Sequence, residues 1–249
     1  MSFVVVIPAR YASTRLPGKP LADLCGLPLI AHVVARAQES NAAAVIVATD
    51  DQRIADALKE HDCDVCLTRA DHVSGSDRIA EVVQLMSIPD HQIVVNVQGD
   101  EPIIPARLIN EVAAALAAES TAVMATAAQA IQSQADFENP NVVKVVFDQA
   151  GRALYFSRAP IPFARDVSFT EIESWHHIGI YAYTAKFLKQ YASLAPSKLE
   201  QFESLEQLRV MDNGETIMVN SIDYDAGIGV DTPADLERVR TILNERAKQ

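Results

Sequence analysis

Cysteine, glycine and basic residues are all scarce in this chain, and each shortage excludes a class of protein. Three cysteines in 249 residues, an odd number, make no disulfide framework and fit a reducing compartment. Cys63 and Cys66 form a lone C-x-x-C in a segment, 62–68, that reads as a strand, where residues three apart point to opposite faces. With no second cysteine pair, they read as packing cysteines rather than zinc ligands. The 9 glycines and 12 prolines are scattered, which excludes a collagen-like chain and a flexible Gly/Ser linker. Lys and Arg total 21 against 33 acids, a net charge of −12, so a field that draws nucleic acid or an anionic membrane is not the dominant feature, and any anionic ligand must meet a local cluster of Lys and Arg. No apolar run approaches membrane-spanning length. The opening Met1-Ser2-Phe3-Val4-Val5-Val6-Ile7-Pro8 has no basic residue before its short apolar run, so neither signal peptide nor membrane span is expected. What remains, with 49% apolar residues, is a soluble globular protein expected in the cytoplasm.

Short apolar runs at 3–7, 44–48 and 93–97 are each followed by helical periodicity, the pattern of parallel βαβ units. The fold class is α/β. Helices are expected over 29–39, 52–61, 77–86, 105–118, 199–211 and 233–246, the last opened by Asp231-Thr232-Pro233. Between 142 and 183 the texture shifts to runs such as Val142-Val143-Lys144-Val145-Val146-Phe147 and His177-Ile178-Gly179-Ile180-Tyr181, parted by a stretch rich in Pro and Arg. This reads as a smaller mixed-sheet insertion, about 142–198, within one domain.

Open α/β sheets bind ligands beyond the carboxyl ends of their strands, so the segments after each strand are where chemistry is expected. After the first comes Pro8-Ala9-Arg10-Tyr11-Ala12-Ser13-Thr14-Arg15-Leu16-Pro17-Gly18-Lys19-Pro20, with three cations in ten residues of an acidic chain. It is neither a P-loop, because Pro20 replaces the metal-binding hydroxyl, nor a dinucleotide G-x-G-x-x-G loop. Backbone amides, hydroxyls and Arg10, Arg15 and Lys19 suit a triphosphate; the alternative is a solvated basic turn. The third strand runs into Gln98-Gly99-Asp100-Glu101-Pro102, which makes Asp100 a metal-ligand candidate. Asp231 is the second candidate, although taken alone it reads first as the N-cap of the last helix. Asp50 and Asp51 read as turn or cap residues. In Asp71-His72-Val73-Ser74-Gly75-Ser76-Asp77-Arg78, hydroxyls, a glycine and an arginine could read a base edge, or Ser74 or Ser76 could merely cap a helix.

The loop 10–21 and the motif 96–102, with Ala153-Leu154-Tyr155-Phe156-Ser157-Arg158, His177-Ile178-Gly179-Ile180-Tyr181 and Leu205-Glu206-Gln207-Leu208-Arg209, resemble the 3-deoxy-manno-octulosonate cytidylyltransferases, or CMP-KDO synthetases. The match runs from end to end. The stretches Ile222-Asp223-Tyr224-Asp225-Ala226 and Phe163-Ala164-Arg165-Asp166 depart from the familiar pattern.

The resemblance implies a nucleotide-diphospho-sugar-transferase-like sandwich, with a predominantly parallel central sheet and a smaller mixed sheet. It implies transfer of CMP from CTP to 3-deoxy-D-manno-octulosonate (KDO) with Mg²⁺, for lipopolysaccharide synthesis. Ala9, Arg10, Ser13, Lys19, Ser74, Gly75 and Arg78 would bind the nucleotide, and Asp100 and Asp231 the Mg²⁺. Arg10, Lys19, Asp100 and Asp231 would be catalytic. Arg15, Gln98, Arg158, His177, Tyr181, Glu206 and Gln207 would hold the sugar, although Glu206 and His177 alone would read as surface and structural residues. The family implies a homodimer through the insertion, where Pro160 and Pro162 sit among aromatics. Competing readings are a cytidylyltransferase for 8-amino-KDO or sialic acid, and a non-catalytic nucleotide-binding regulator. A Rossmann oxidoreductase is disfavoured by the missing glycine fingerprint.

Overall fold

The computed structural model describes residues 2–12, 15–72, 74–191 and 193–246. In chain order these form β1 (Phe3–Ala9), β2 (Asp23–Leu24), β3 (Leu27–Pro28), α1 (Leu29–Gln38), β4 (Ala44–Thr49), α2 (Gln52–Ala57), β5 (Asp64–Leu67), α3 (Gly75–Leu85), β6 (Ile93–Asn96) and α4 (Ala106–Ala118). There follow β7 (Ala122–Ala130), α5 (Gln134–Glu138), β8 (Lys144–Phe147), β9 (Ala153–Ser157), β10 (Trp175–Thr184), α6 (Ala185–Tyr191), α7 (Lys198–Glu203), α8 (Gln207–Asp212), β11 (Thr216–Ile222) and α9 (Pro233–Arg246). Two compact units result: residues 1–110, 184–192 and 226–249, and residues 111–183 and 193–225.

The first unit is built on parallel strands in the order β6-β1-β4-β5, with Val6 opposite both Ile46 and Asn96. Val5, Val6, Ile7, Val94 and Val95 are fully buried, which is why these strands read as unbroken apolar runs. Helix α1 lays Leu29, Ile30, Val33, Val34 and Ala37 against β1 and β4, each large side chain contributing about 2 kcal/mol on burial. Helix α3 starts with a capping box, Ser74 accepting from the Asp77 amide while the Asp77 carboxylate accepts from the Ser74 amide, and it packs on α6. The expected helix 52–61 stops at Ala57, leaving residues 58–63 as turns into β5.

The second unit holds more sheet than the expected insertion. Strand β7 pairs parallel with β11 and antiparallel with β10; β8 then pairs antiparallel with β10 and with β9. Strand β7, Ala-Val-Met-Ala-Thr-Ala-Ala-Gln-Ala, lacks the β-branched signature of a strand, and burial rather than propensity holds it extended. The expected helix 199–211 is instead two, α7 and α8, separated at Ser204 by a left-handed φ of 52°. Glu200, in the capping box of α7, also receives Arg209 Nε at 2.8 Å and Nη2 at 2.6 Å, so a buried fork-to-fork ion pair ties the two helices together.

Candidate active site

In the first unit the loops that follow β1, β6 and the turn before α9 meet at the carboxyl edge of the parallel strands. The Val230 amide donates to the Asp100 carbonyl at 2.8 Å, which binds the second and third of these loops to each other. Gly99 lies so close to β1 that a Cβ there would stand 2.7 Å from the Pro8 carbonyl oxygen, which explains glycine at the point where the β6 loop crosses. Gly75 at the start of α3 sits against the same Pro8.

Three segments far apart in sequence thereby converge on one ammonium. Lys19 Nζ lies 2.7 Å from Asp100 Oδ2 and 3.1 Å from Asp231 Oδ1, and Arg15 Nη2 lies 2.9 Å from the same Asp231 oxygen. Burial by itself lowers the Lys19 ammonium, but attraction and hydrogen bonds from Asp100 and Asp231 outweigh it, and its pKa rises. Asp231 is not the helix cap. Thr232 Oγ1 accepts from the Asp235 amide and the Asp235 carboxylate accepts from the Asp231 and Thr232 amides, so the cap is one residue further on and the Asp231 carboxylate is left for Lys19 and Arg15.

Beneath this cluster lies Glu101, which the sequence reading passed over. Its carboxyl is pushed up to about 8, first by burial and then by the Asp100 and Asp231 carboxylates, with Lys19 pulling the other way. A Cβ at position 229 would stand 2.7 Å from Glu101 Oε1, so the Glu101 carboxyl lies directly against the Gly229 backbone. The adjacency of Glu101 to Asp100 and the Gly227-Ile228-Gly229 run were the available signals.

Of the expected nucleotide residues, Ser13 lies outside the described residues. Ala9 ends β1 and is buried, with Arg10 next to it. Ser74 makes the capping box of α3. Arg78 is fully buried, with Nη1 on Thr68 Oγ1 and 3.3 Å from Asp50 Oδ1, while Nε and Nη2 have no hydrogen-bond partner among the described residues. Burial lowers its pKa; Asp50 counters this and Arg10 reinforces it. Thus Asp50 is an arginine partner, whereas Asp51 is the α2 cap expected of it.

The expected sugar residues fall in both units: Arg15 and Gln98 in the first, the others in the second. Arg158 donates to the carbonyls of Glu203 at 2.6 Å, Pro140 at 3.0 Å and Ser204 at 3.4 Å, the engagement of a strut, which an incoming carboxylate would have to displace. His177 is interior, 3.0 Å from Thr126 Oγ1. That hydroxyl has one proton and faces the Ile178 and Ile180 carbonyls, which can only accept, so His177 Nε2 is the donor to it. Burial, aided by His176, lowers the imidazole to about 3 and keeps it neutral. Tyr181 lies 5.5 Å from His177, ring to ring, after a bulge between Ile178 and Tyr181. Glu206 stands at the N-cap position of α8 without a side-chain cap hydrogen bond, and Gln207 is buried with an Nε2 that has no partner among the described residues.

Cys63 and Cys66 are free and half-buried, Cys66 within β5 and Cys63 just before it. A cleft of about 580 Å³ lined by Gln38, His61 and Cys63 sits at the opposite, amino edge of β4 and β5 and contains none of the expected site residues. Among the described residues no cluster of three or more His, Cys, Asp or Glu side chains could hold a metal. No helix among them is long and apolar enough to cross a membrane.

Residues 4–217 match the cytidylyltransferase family. A 3-deoxy-manno-octulosonate cytidylyltransferase of Methylibium petroleiphilum is 52% identical, covering 100% of this chain and 98% of the relative. Its namesake in Yersinia enterocolitica is 54% identical, over 98% and 99%. A solved structure of CMP:2-keto-3-deoxy-manno-octonic acid synthetase complexed with CTP superposes with a TM-score of 0.92 at 43% identity, over 99% of this chain and 100% of that one. With the motifs, the carboxylate–ammonium cluster and full-length identity in agreement, the chain belongs to the 3-deoxy-manno-octulosonate cytidylyltransferase family.

Proposed function

We propose that this chain transfers CMP from CTP to the anomeric hydroxyl of KDO, releasing pyrophosphate, with Mg²⁺, in the cytoplasm and as a homodimer. The observation that carries the reading is the convergence of Lys19, Asp100 and Asp231 at the carboxyl edge of the first unit's strands. Full-length identity to named relatives supplies the substrates, and their product implies lipopolysaccharide synthesis.

Two carboxylates from separate loops already share one cation here, Lys19, with oxygens at 2.7 and 3.1 Å. Such a pair fits Mg²⁺, which takes one or two carboxylates and fills its shell with phosphate oxygens and water. Asp100 and Asp231 would hold it, and when bound it supplies positive charge at the α-phosphate. Lys19 and Arg10 bind the triphosphate, whose charge takes the place of the carboxylates as the partner of Lys19. Ala9, Ser74, Gly75 and Arg78 seat the nucleoside. Arg15, Gln98, Arg158, His177, Tyr181, Glu206 and Gln207 bind the sugar, with the orphaned Gln207 amide a natural donor to a hydroxyl. A sugar oxygen forms a bond to the α-phosphorus, the bond from that phosphorus to the oxygen bridging the α- and β-phosphates breaks, pyrophosphate leaves and the hydroxyl proton passes to solvent.

Pyrophosphate release from CTP, Mg²⁺ and KDO tests this directly. Faster release with sialic acid or an 8-amino analogue moves the sugar assignment; CTP binding without turnover favours a regulator. For the homodimer, Phe163 is 86% exposed beside a cleft of about 370 Å³ lined by Phe137, Pro160, Pro162, Phe169 and Ile172. Light scattering should give twice the chain mass, and a single chain mass at micromolar concentration overturns the homodimer.

A further inference from the structure

The described ends of the basic loop after β1 meet each other and pack against residues of α2. The Gly18 amide donates to the Tyr11 carbonyl at 3.3 Å, so residues 11 and 18 form the neck of the loop that carries Arg15 and leads into Lys19. Gly18 has a left-handed φ of 68°, and a Cβ there would stand 3.1 Å from the Tyr11 hydroxyl oxygen, so the tyrosine lies flush against the neck. Arg53 lies over the same ring, its guanidinium carbon 3.4 Å from the ring centroid. Arg53 is itself clamped: Nε and Nη2 donate to the two oxygens of Asp51 at 2.9 and 2.6 Å, while Asp51 also accepts from the Arg53 amide as the cap of α2. This pairing lowers the Asp51 carboxyl and raises the Arg53 guanidinium. Helix α2 in turn packs on the 3-10 turn of Lys19–Leu21.

We propose that Asp51, Arg53 and Tyr11 form a latch that positions the β1 loop, with Arg53 and Tyr11 as positioning residues for Lys19 and its neighbours. Neither residue is among those assigned to substrate. The chemistry is specific: a planar guanidinium fixed by a two-point carboxylate fork presents a flat cation to a phenol ring, which a lysine at 53 could not reproduce. Removing the guanidinium frees the ring, opens the neck and lets the loop sample orientations in which Lys19 no longer faces Asp100 and Asp231. The consequence for substrate rests on the triphosphate role given above to Arg10 and Lys19; the latch itself does not.

Two readouts separate these. Limited trypsin digestion followed at the Arg15–Leu16 bond reports loop opening without any substrate. Arg53→Ala, Arg53→Lys and Tyr11→Ala should each speed cleavage there about fivefold, and Tyr11→Phe, which keeps the ring, should stay within about twofold of the wild type. In steady-state assays the same three variants should raise KM for CTP by roughly fivefold and leave KM for KDO within about twofold, and Tyr11→Phe should restore the wild-type value. Faster cleavage with an unchanged KM for CTP keeps the latch and removes the triphosphate role of the loop. Unchanged cleavage in Arg53→Ala and Tyr11→Ala, or equal effects of Tyr11→Ala and Tyr11→Phe, overturns the latch. A general loss of kcat and thermal stability with no change in either readout identifies mere structural damage and overturns it as well.

Discussion

Lys19 in the first unit and Lys144 in the second are both withdrawn from water, yet they are treated in opposite ways. Lys19 meets two carboxylates, and its pKa rises. Lys144, with no exposed surface, donates to three backbone carbonyls, those of Asn139 at 2.9 Å, Val142 at 2.7 Å and Arg158 at 2.7 Å, and burial lowers its pKa. Three neutral acceptors use all three N–H donors and join the 139–142 turn to the end of β9. Nothing in that cage can be exchanged without leaving a buried polar group unpaired. The Lys19 cluster is different: its acids are 31% and 45% exposed, so an incoming anion or cation can replace either half of the pairing at small cost. Charge opposite charge at a solvated edge serves exchange, whereas charge inside a ring of dipoles serves architecture.

The comparison breaks first on catalysis. Lys19→Met and Asp100→Asn should each lower kcat by about 10³-fold while costing no more than about 1 kcal/mol of stability, since the cluster is partly solvated. Stopped assays of pyrophosphate release beside thermal melts check this, and retained turnover at unchanged Mg²⁺ would remove Asp100 from the site. Lys144→Met should do the reverse. Stranding three carbonyls costs about 3 kcal/mol, a fall in Tm of roughly 6–12 °C. A melt unchanged by that substitution would show the cage to be dispensable.

How far these two roles could be read from the sequence follows from what each depends on. The β1 loop and Asp100 stood out because cations and a Gly-Asp pair after apolar runs are local patterns, and the parallel strands were legible for the same reason. Asp231 stood out only as a second candidate, because whether it or Thr232 caps α9 is decided by a hydrogen bond to Asp235 that spacing leaves open. Lys144 lay inside a predicted strand with no hint of burial, since its partners are carbonyls, which every residue possesses. Glu101 and the Thr126–His177 pair were hidden likewise: their environments come from segments distant in sequence. Strand β7 escaped because alanine in a doubly buried strand carries neither period nor propensity.

His177 sharpens the contrast through pH. Its folded pKa, about 3, is far below the ordinary histidine value of about 6.5, so the unfolded chain takes up a proton that the folded one refuses. The stabilisation is therefore complete above pH 6.5 and is lost as pH falls toward 3, amounting to about 2 kcal/mol between pH 6.5 and 5. His176, also lowered by burial, adds in the same direction. His177→Gln should lower stability at pH 7 yet flatten its decline with acid, as followed by denaturant titrations from pH 7 to 5; an equally steep decline in the variant would mean that the imidazole is not kept neutral.

The smallest effect belongs to Arg15, whose pairing with Asp231 is the most solvated contact of the cluster, with the arginine side chain 65% exposed. An exposed pair of this kind gains little Coulomb energy, loses side-chain entropy and is screened by salt, so Arg15→Gln should change stability by less than about 0.5 kcal/mol. If Arg15 is instead there for the sugar carboxylate, the same substitution should raise KM for KDO by about tenfold, because a charge-assisted pair to a bound anion is lost, and leave KM for CTP alone. Salt separates the two quantities in the wild type: the melt should hardly move between low and moderate ionic strength, while KM for KDO should climb. A large stability loss with both KM values intact would make Arg15 a fixture like Lys144, and the division between exchangeable and architectural charge would then no longer follow exposure.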